Sequence, residues 1–197
     1  MDLIKAYDKI DWGFLRLLQL QVGIDFEIVS WIMDCVGNIH FSILVSGSLT
    51  RVFKGQRGLR QGCPLSPLLF LLVINGLSRL IGEAKQNGSL RGVKVSHSQI
   101  LTHILFADDV LLFSGNSRND WACFYKIVNL FCFASGMEIS GTKSCFIALG
   151  GHLADHILDL FPFRTIALED GLRYLGYTLK PNVTIICIGV GYWIVWI

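Results

Sequence analysis

The 197-residue sequence predicts an α+β fold, on three observations. Hydrophobic residues make up 52% against 16% charged, which supplies a large buried core and excludes a disordered chain. Apolar runs of helical period stand beside short runs of alternating or continuous apolar residues. The two kinds interleave without a strict strand–helix–strand alternation, which favours α+β over a doubly wound parallel sheet.

Leu3 to Ile10 reads as the end of a strand turning into a loop. Asp11 caps a helix with Phe14, Leu15, Leu17, Leu18 and Val22 on its apolar face, stopped by Gly23. Asp25 caps a second, apolar at Ile28, Val29, Ile32 and Val36 and ending at Gly37-Asn38. Phe41, Ile43 and Val45, with Val52-Phe53, suggest a hairpin turning at Ser46-Gly47-Ser48. A long helix begins at Ser66-Pro67, with Ser as cap and Pro at the first helical position, and runs toward Asn87-Gly88. Its first turns, Leu68 to Ile74, are apolar all round, the pattern of a fully buried helix. The unbroken run is shorter than the roughly 20 residues a membrane span needs. Asn75, Gly76 and Arg79 interrupt it, so it reads as a core helix. Strands follow at Val93-Val95, Ile100-Phe106 and Val110-Phe113. Ser117 to Phe133 is an amphipathic helix closed by Ser135-Gly136. Two short strands, Met137-Ile139 and Cys145-Leu149, flank the turn Ser140-Gly141-Thr142, and Leu172 to Leu179 is a last strand candidate.

The net charge of +2 is only mildly basic and does not by itself point to nucleic acid. Arg51, Lys54, Arg57 and Arg60 form a run of cations without an acid, either a nucleic-acid contact or a solvated hairpin face. Six scattered cysteines contain no Cys-x-x-Cys pair, and the start carries no signal peptide, so the natural reading is reduced thiols and an intracellular, non-secreted chain. His152 and His156 at i, i+4, with Cys145 upstream, form a weak zinc candidate against the alternative of a surface helix.

The sharpest local signal is Phe106-Ala107-Asp108-Asp109-Val110-Leu111-Leu112-Phe113. Two adjacent carboxylates stand between two strongly apolar strands. Buried carboxylates about 4 Å apart repel by roughly 4 kcal/mol at an effective dielectric near 20, so such a pair wants a cation or a raised pKa. The alternative is an exposed turn, in which Asp is common.

Five blocks in order resemble the motifs of reverse transcriptases. Asp2-Leu-Ile-Lys-Ala-Tyr7-Asp8-Lys-Ile-Asp11-Trp12 looks like motif A. Gly58-Leu-Arg60-Gln61-Gly62-Cys63-Pro64-Leu-Ser66-Pro67-Leu-Leu-Phe70 looks like motif B, and Phe106-Ala107-Asp108-Asp109 like motif C. Ser135-Gly136-Met-Glu-Ile139-Ser-Gly-Thr-Lys143-Ser144 is similar to motif D, and Tyr174-Leu175-Gly176 to motif E. The second and fourth blocks look most like LINE-type (non-LTR) retrotransposon enzymes, particularly those of plants. The resemblance covers about residues 1 to 180 and implies a polymerase palm: an antiparallel sheet with an Asp-bearing hairpin, packed on helices, with fingers and thumb largely missing.

The implied reaction is RNA-directed DNA synthesis, in-line transfer of a nucleotide to a primer 3′-hydroxyl with two Mg²⁺ clamping the attacking and leaving oxygens. The resemblance implies Asp2, Asp108 and Asp109 as metal ligands, with Mn²⁺ an alternative to Mg²⁺. It implies Tyr7 as the ring that excludes a 2′-hydroxyl, Arg60, Gln61 and Gly62 at the nucleotide and template, Lys143 as proton donor to pyrophosphate, and Tyr174, Leu175 and Gly176 in the primer grip. Asp8 reads as structural, Asp11 as a helix cap, and Cys63 has no redox role. The implied partners are an RNA template, a DNA primer and deoxynucleotides, with no membrane, in the nucleus or cytoplasm. Fingers and an endonuclease of a parent polyprotein are expected upstream.

Residues 181–197 read as an apolar tail of uncertain origin, from a frameshift, read-through or misassigned exon, or alternatively as a buried edge strand. Beside the polymerase stand a non-catalytic retroelement remnant and an intron-maturase-like RNA-binding protein. The maturase reading would need a basic thumb and a maturation domain. The 197-residue chain alone is expected to be inactive.

Overall fold

The computed structural model describes residues 1–115, 117–148, 159–167, 170–174, 177–179 and 192–196. For Asp2, Gly115, Ala148, 172–174, 177–179 and 192–196 it describes the backbone alone. Helices and mostly antiparallel strands are mixed along the chain, an α+β architecture. Contacts divide it into two units.

The first unit comprises Met1–Ile4, Leu77–Leu130 and Ile139–Ile197. Its frame is a seven-stranded sheet built from β1 (Asp2–Leu3), β8 (His103–Phe106), β9 (Asp109–Gly115), β10 (Ile139–Ser140), β11 (Cys145–Ala148), β12 (Arg164–Ala167) and β15 (Tyr192–Trp196). The order is β10-β1-β9-β15-β11-β12, and β8 pairs with the other edge of β9. All of these pairings are antiparallel except β11 with β12. Val110, Leu111, Leu112 and Phe113 are all buried, as their continuous apolar run requires of a strand covered on both faces. Trp121, Phe124, Phe146, Phe161 and Phe163 form an aromatic cluster, with Trp121 and Phe146 edge-to-face at 5.4 Å. Two smaller hairpins pair β6 (Val93–Lys94) with β7 (Ile100–Leu101), and β13 (Leu172–Tyr174) with β14 (Tyr177–Leu179).

Asp120, in helix α5 (Arg118–Ser135), is fully buried and ties three segments together. It accepts from the backbone N–H of Arg91 (3.3 Å) and Gly92 (3.2 Å) and from the Ser114 hydroxyl (3.1 Å). Sequence reasoning missed it, because an Asp in the first turn of a helix looks like an exposed dipole partner.

The second unit comprises Lys5–Gly76 and Phe131–Glu138. Helix α1 (Ala6–Lys9) leads to α2 (Trp12–Gln21), where the Asp11 carboxylate accepts from the Phe14 N–H at 2.8 Å. Asp25 caps α3 (Phe26–Gly37) through the Glu27 N–H at 2.8 Å. Both caps stand where the sequence placed them. The apolar faces are narrower than expected, however: Leu15, Leu18, Val29 and Val36 are buried, while Leu17 and Ile28 are exposed. The hairpin pairs β2 (His40–Phe41) with β5 (Phe53–Lys54) and β3 (Leu44–Val45) with β4 (Ser48–Leu49). Ser46 and Gly47 both have positive φ, as a two-residue type I′ turn requires.

Helix α4 runs from Ser66 to Gln86. Among the described residues it is the one helix long and apolar enough to cross a membrane. Its buried side chains, Leu69, Phe70, Val73, Ile74, Leu77 and Ile81, lie on one face at helical spacing. Leu68 is 65% and Leu71 55% exposed, which corrects the expectation of burial all round. The run is apolar at every position, but packing covers only one stripe of it. The Ser66 hydroxyl donates to the Arg60 carbonyl at 2.7 Å, so it closes the preceding turn rather than simply capping the helix.

One further expectation is corrected: the stretch from Leu172 to Leu179 is the hairpin β13–β14, not one strand. Strand β12, which has no alternating signal in the sequence, lies parallel to β11. Tyr192–Trp196 has neighbours on both edges, β9 and β11. Its β-branched and aromatic composition suits a pleated, covered position.

Candidate active site

Asp108 and Asp109 lie at and just beyond the tip of the β8–β9 hairpin. Phe106 and Asp109 are register partners, which leaves Ala107-Asp108 as a two-residue loop. Ala107 has φ 50°, a left-handed conformation usually given to Gly at the first loop position of a tight hairpin. Backbone strain of this kind costs on the order of 1–2 kcal/mol for an L-residue.

On the other edge of β9, Asp2 is the register partner of Asp109. The Met1 nitrogen donates to the Val110 carbonyl at 3.2 Å. That makes Met1–Val110 a hydrogen-bonded pair and Asp2–Asp109 the neighbouring non-hydrogen-bonded one. In such pairs the Cα atoms approach to about 4.5 Å. On its far side Asp2 faces Ser140 of β10. The Ser140 hydroxyl accepts from the Lys143 N–H at 3.3 Å, and the Ser140 carbonyl from the Ser144 N–H at 2.9 Å. The exposed Lys143 therefore sits in a turn hung on the residue opposite Asp2. The sheet gathers the backbone of Asp2, Asp109 and Ser140 in one row, with Asp108 one residue away at the tip.

Asp108 is exposed and Asp109 half-buried. Among the described residues no three His, Cys, Asp or Glu side chains converge on a metal position. The Asp2 side chain is outside that set. The donors assembled here are hard carboxylate oxygens, the kind that suits Mg²⁺ rather than a soft metal. His152 and His156 lie outside the described residues. Cys145, their upstream companion, is buried, and burial pushes its thiol pKa up.

In the second unit, Tyr7 stacks on Phe70 with ring centroids 4.4 Å apart and planes 9° from parallel. Its carbonyl accepts from the Leu59 N–H at 2.7 Å, and the Ile10 carbonyl from the Gly58 N–H at 2.8 Å. Gly58 has φ 86°, and a Cβ there would lie 2.5 Å from the Asp8 carbonyl oxygen. Only glycine lets these two backbone segments meet so closely. Gln61 donates to the Asp8 carboxylate at 3.4 Å, and Gly62 takes a positive φ of 83°. Arg57, Arg60, Gln61, Asp8 and Trp12 line a cleft of about 370 Å³. Trp12 is fixed there by its indole N–H, which donates to the Gly58 carbonyl at 2.8 Å. Cys63 lies in the turn before α4, where the Leu65 backbone N–H holds its thiol pKa below the ordinary value. Tyr174 belongs to β13, in register with Tyr177; Leu175 and Gly176 lie outside the described residues.

The sheet thus sets a carboxylate-tipped hairpin beside the strand that carries Asp2. The chain belongs to the reverse transcriptase (RNA-dependent DNA polymerase) family, whose model matches residues 1–179. It is related to the reverse transcriptases of non-LTR retrotransposons and to a plant mitochondrial protein. An uncharacterized mitochondrial protein of Arabidopsis thaliana is 45% identical over 100 residues, covering 48% of this chain and 82% of that protein. A retrovirus-related Pol polyprotein of the R2 retrotransposable element of Popillia japonica is 28% identical over 150 residues, covering 76% of this chain and 20% of the polyprotein. An uncharacterized 149 kDa protein of transposon TX1 of Xenopus laevis is 26% identical over 188 residues, covering 92% of this chain and 14% of its own length. The chain thus spans most of the plant relative but a fifth or less of these two transposon proteins.

Proposed function

We propose that residues 1–180 form the catalytic palm of a retroelement RNA-directed DNA polymerase, with Tyr192–Trp196 contributing a strand to the same sheet. The carrying observation is the register of Asp2 with Asp109, beside a hairpin that holds Asp108 at its tip. Asp2, Asp108 and Asp109 are the proposed holders of two Mg²⁺, with Mn²⁺ an alternative. When bound, the ions would supply charge stabilisation for in-line transfer of a nucleotide to a primer 3′-hydroxyl.

The chain's own groups have separate tasks. The three carboxylates fix the position of the ions, and the strained loop at Ala107 keeps Asp108 projecting from the hairpin tip. Lys143 carries the proton for departing pyrophosphate from the turn anchored on Ser140. In the second unit, the Tyr7 ring, held by its stack on Phe70, excludes a 2′-hydroxyl. Arg60, Gln61 and Gly62, at the cleft before α4, take nucleotide and template. Tyr174, Leu175 and Gly176 belong to the primer grip. The proposed partners are an RNA template, a DNA primer and deoxynucleotides, and the proposed place of action is the nucleus or cytoplasm.

A second reading, a polypeptide with the fold but no polymerase activity, is favoured by the net charge of only +2, small for a protein that must hold a primer–template. Primer extension with Mg²⁺ and deoxynucleotides separates the two, using this chain joined to the flanking segments of a close relative. Extension that Asp108→Asn abolishes supports the polymerase. Absence of extension from the joined chain, with the same flanks active around the relative's own domain, supports the second reading.

A further inference from the structure

Strands β1 and β15 lie on the same edge of β9 and run in the same direction, both antiparallel to it. Along that edge, Gly115, Ser114, Phe113, Leu112 and Leu111 face Tyr192, Trp193, Ile194, Val195 and Trp196 in turn. Val110 then receives the Met1 N–H, and Asp109 faces Asp2. A single β9 residue, Val110, separates the register ends of the two strands. The far side repeats the pattern. Strand β10 pairs with β1 through Ile139 and Ser140, and β11 pairs with β15 from Cys145 to Ala148. One strand position of this sheet is therefore shared by two distant pieces of the chain, laid end to end between β9 and the run from 139 to 148. The turn that carries Lys143 falls at the junction.

We propose that the space between β9 and β11 is a strand-exchange site. It takes one extended segment running toward Asp2, filled here by the chain's own C-terminal strand. A segment joined directly to Met1 from upstream competes for it. The reason is that either occupant must use the same peptide groups of Leu111 to Gly115 and of Cys145 to Ala148, and a β-strand has one partner per edge. A segment continuous with β1 is delivered in register and with almost no slack, so its effective concentration exceeds that of a strand returning from the far end of the chain.

The test uses the full chain and needs no catalysis. Phe113 N–H donates to the Thr102 carbonyl on the β8 side, so Phe113–Ile194 is a non-hydrogen-bonded pair on the β15 side. Such pairs come close enough for a disulfide. Phe113→Cys with Ile194→Cys should crosslink under mild oxidation, mapped by mass spectrometry against the native cysteines. Adding a second copy of Tyr-Trp-Ile-Val-Trp immediately before Met1 should lower the crosslink yield by about tenfold or more. The same insertion with two prolines should leave it high, because proline cannot pair on both edges. Hydrogen exchange of the wild-type amides in 111–115 and 192–196 gives a second readout that avoids the buried Phe113. The inserted copy should deprotect 192–196 while 111–115 stay protected. Unchanged yield together with unchanged protection of 192–196 on insertion would overturn the proposal, as would a wild-type chain in which 192–196 exchange freely.

Discussion

Asp109→Asn most directly probes the proposed carboxylate site, because it removes one charge beside the hairpin tip while keeping the size of the side chain. Asp109 stands in register with Asp2 and next to Asp108. With the three carboxylates holding Mg²⁺ as proposed, about 10 mM Mg²⁺ at a Kd of about 1 mM would stabilise the wild type by about 1.4 kcal/mol, or about 3–6 °C in Tm for a chain of this size. The variant should lose most of that response, because a hard cation at a shared site depends on each ionised oxygen. Differential scanning fluorimetry of both proteins, with and without Mg²⁺ and with Ca²⁺ as a second hard cation, reads the shifts. A variant that still responds fully to Mg²⁺ would refute the reasoning.

Three further outcomes are expected. Asp120→Ala strands two backbone N–H groups and takes one partner from the Ser114 hydroxyl, and should cost about 3 kcal/mol in urea unfolding, with Asp120→Asn recovering about half. Burial first, then the nearby Lys85, holds the His103 imidazole below its ordinary pKa of 6.5, with Ser78 at 2.8 Å on one ring nitrogen and Thr102 at 3.0 Å on the other. The unfolded chain then binds the proton first, so this contribution to stability is present above pH 6.5 and declines as the pH falls below it; His103→Gln should flatten the decline between pH 7.5 and 5.5. Gly58→Ala combines a positive φ with a Cβ 2.5 Å from the Asp8 carbonyl and should cost about 3 kcal/mol or more, seen as a Tm drop of about 6–12 °C.

Local chemistry was legible wherever a residue acts on its own neighbours. Asp11 and Asp25 cap the helices that follow them, because a side-chain oxygen reaches an N–H two or three residues away whatever the rest of the chain does. The Ser46-Gly47 turn and the Asp108-Asp109 hairpin are local in the same sense. Family membership was legible too, since five ordered blocks of residue types survive without any knowledge of their contacts. Partnership across the chain was not. The burial of Asp120 depends on two N–H groups roughly thirty residues upstream, and the exposure of Leu68 and Leu71 on what covers one stripe of an apolar helix. The C-terminal segment shows the difference most plainly. Its composition marked it as apolar and β-prone, and from that alone it could be a stray tail or a strand. Its place between β9 and β11 arises because those strands present peptide groups on facing edges, and burying such groups unpaired costs more than ordering five residues between them. Residue type determined what each segment could become; the unpaired edges of distant strands decided where it went.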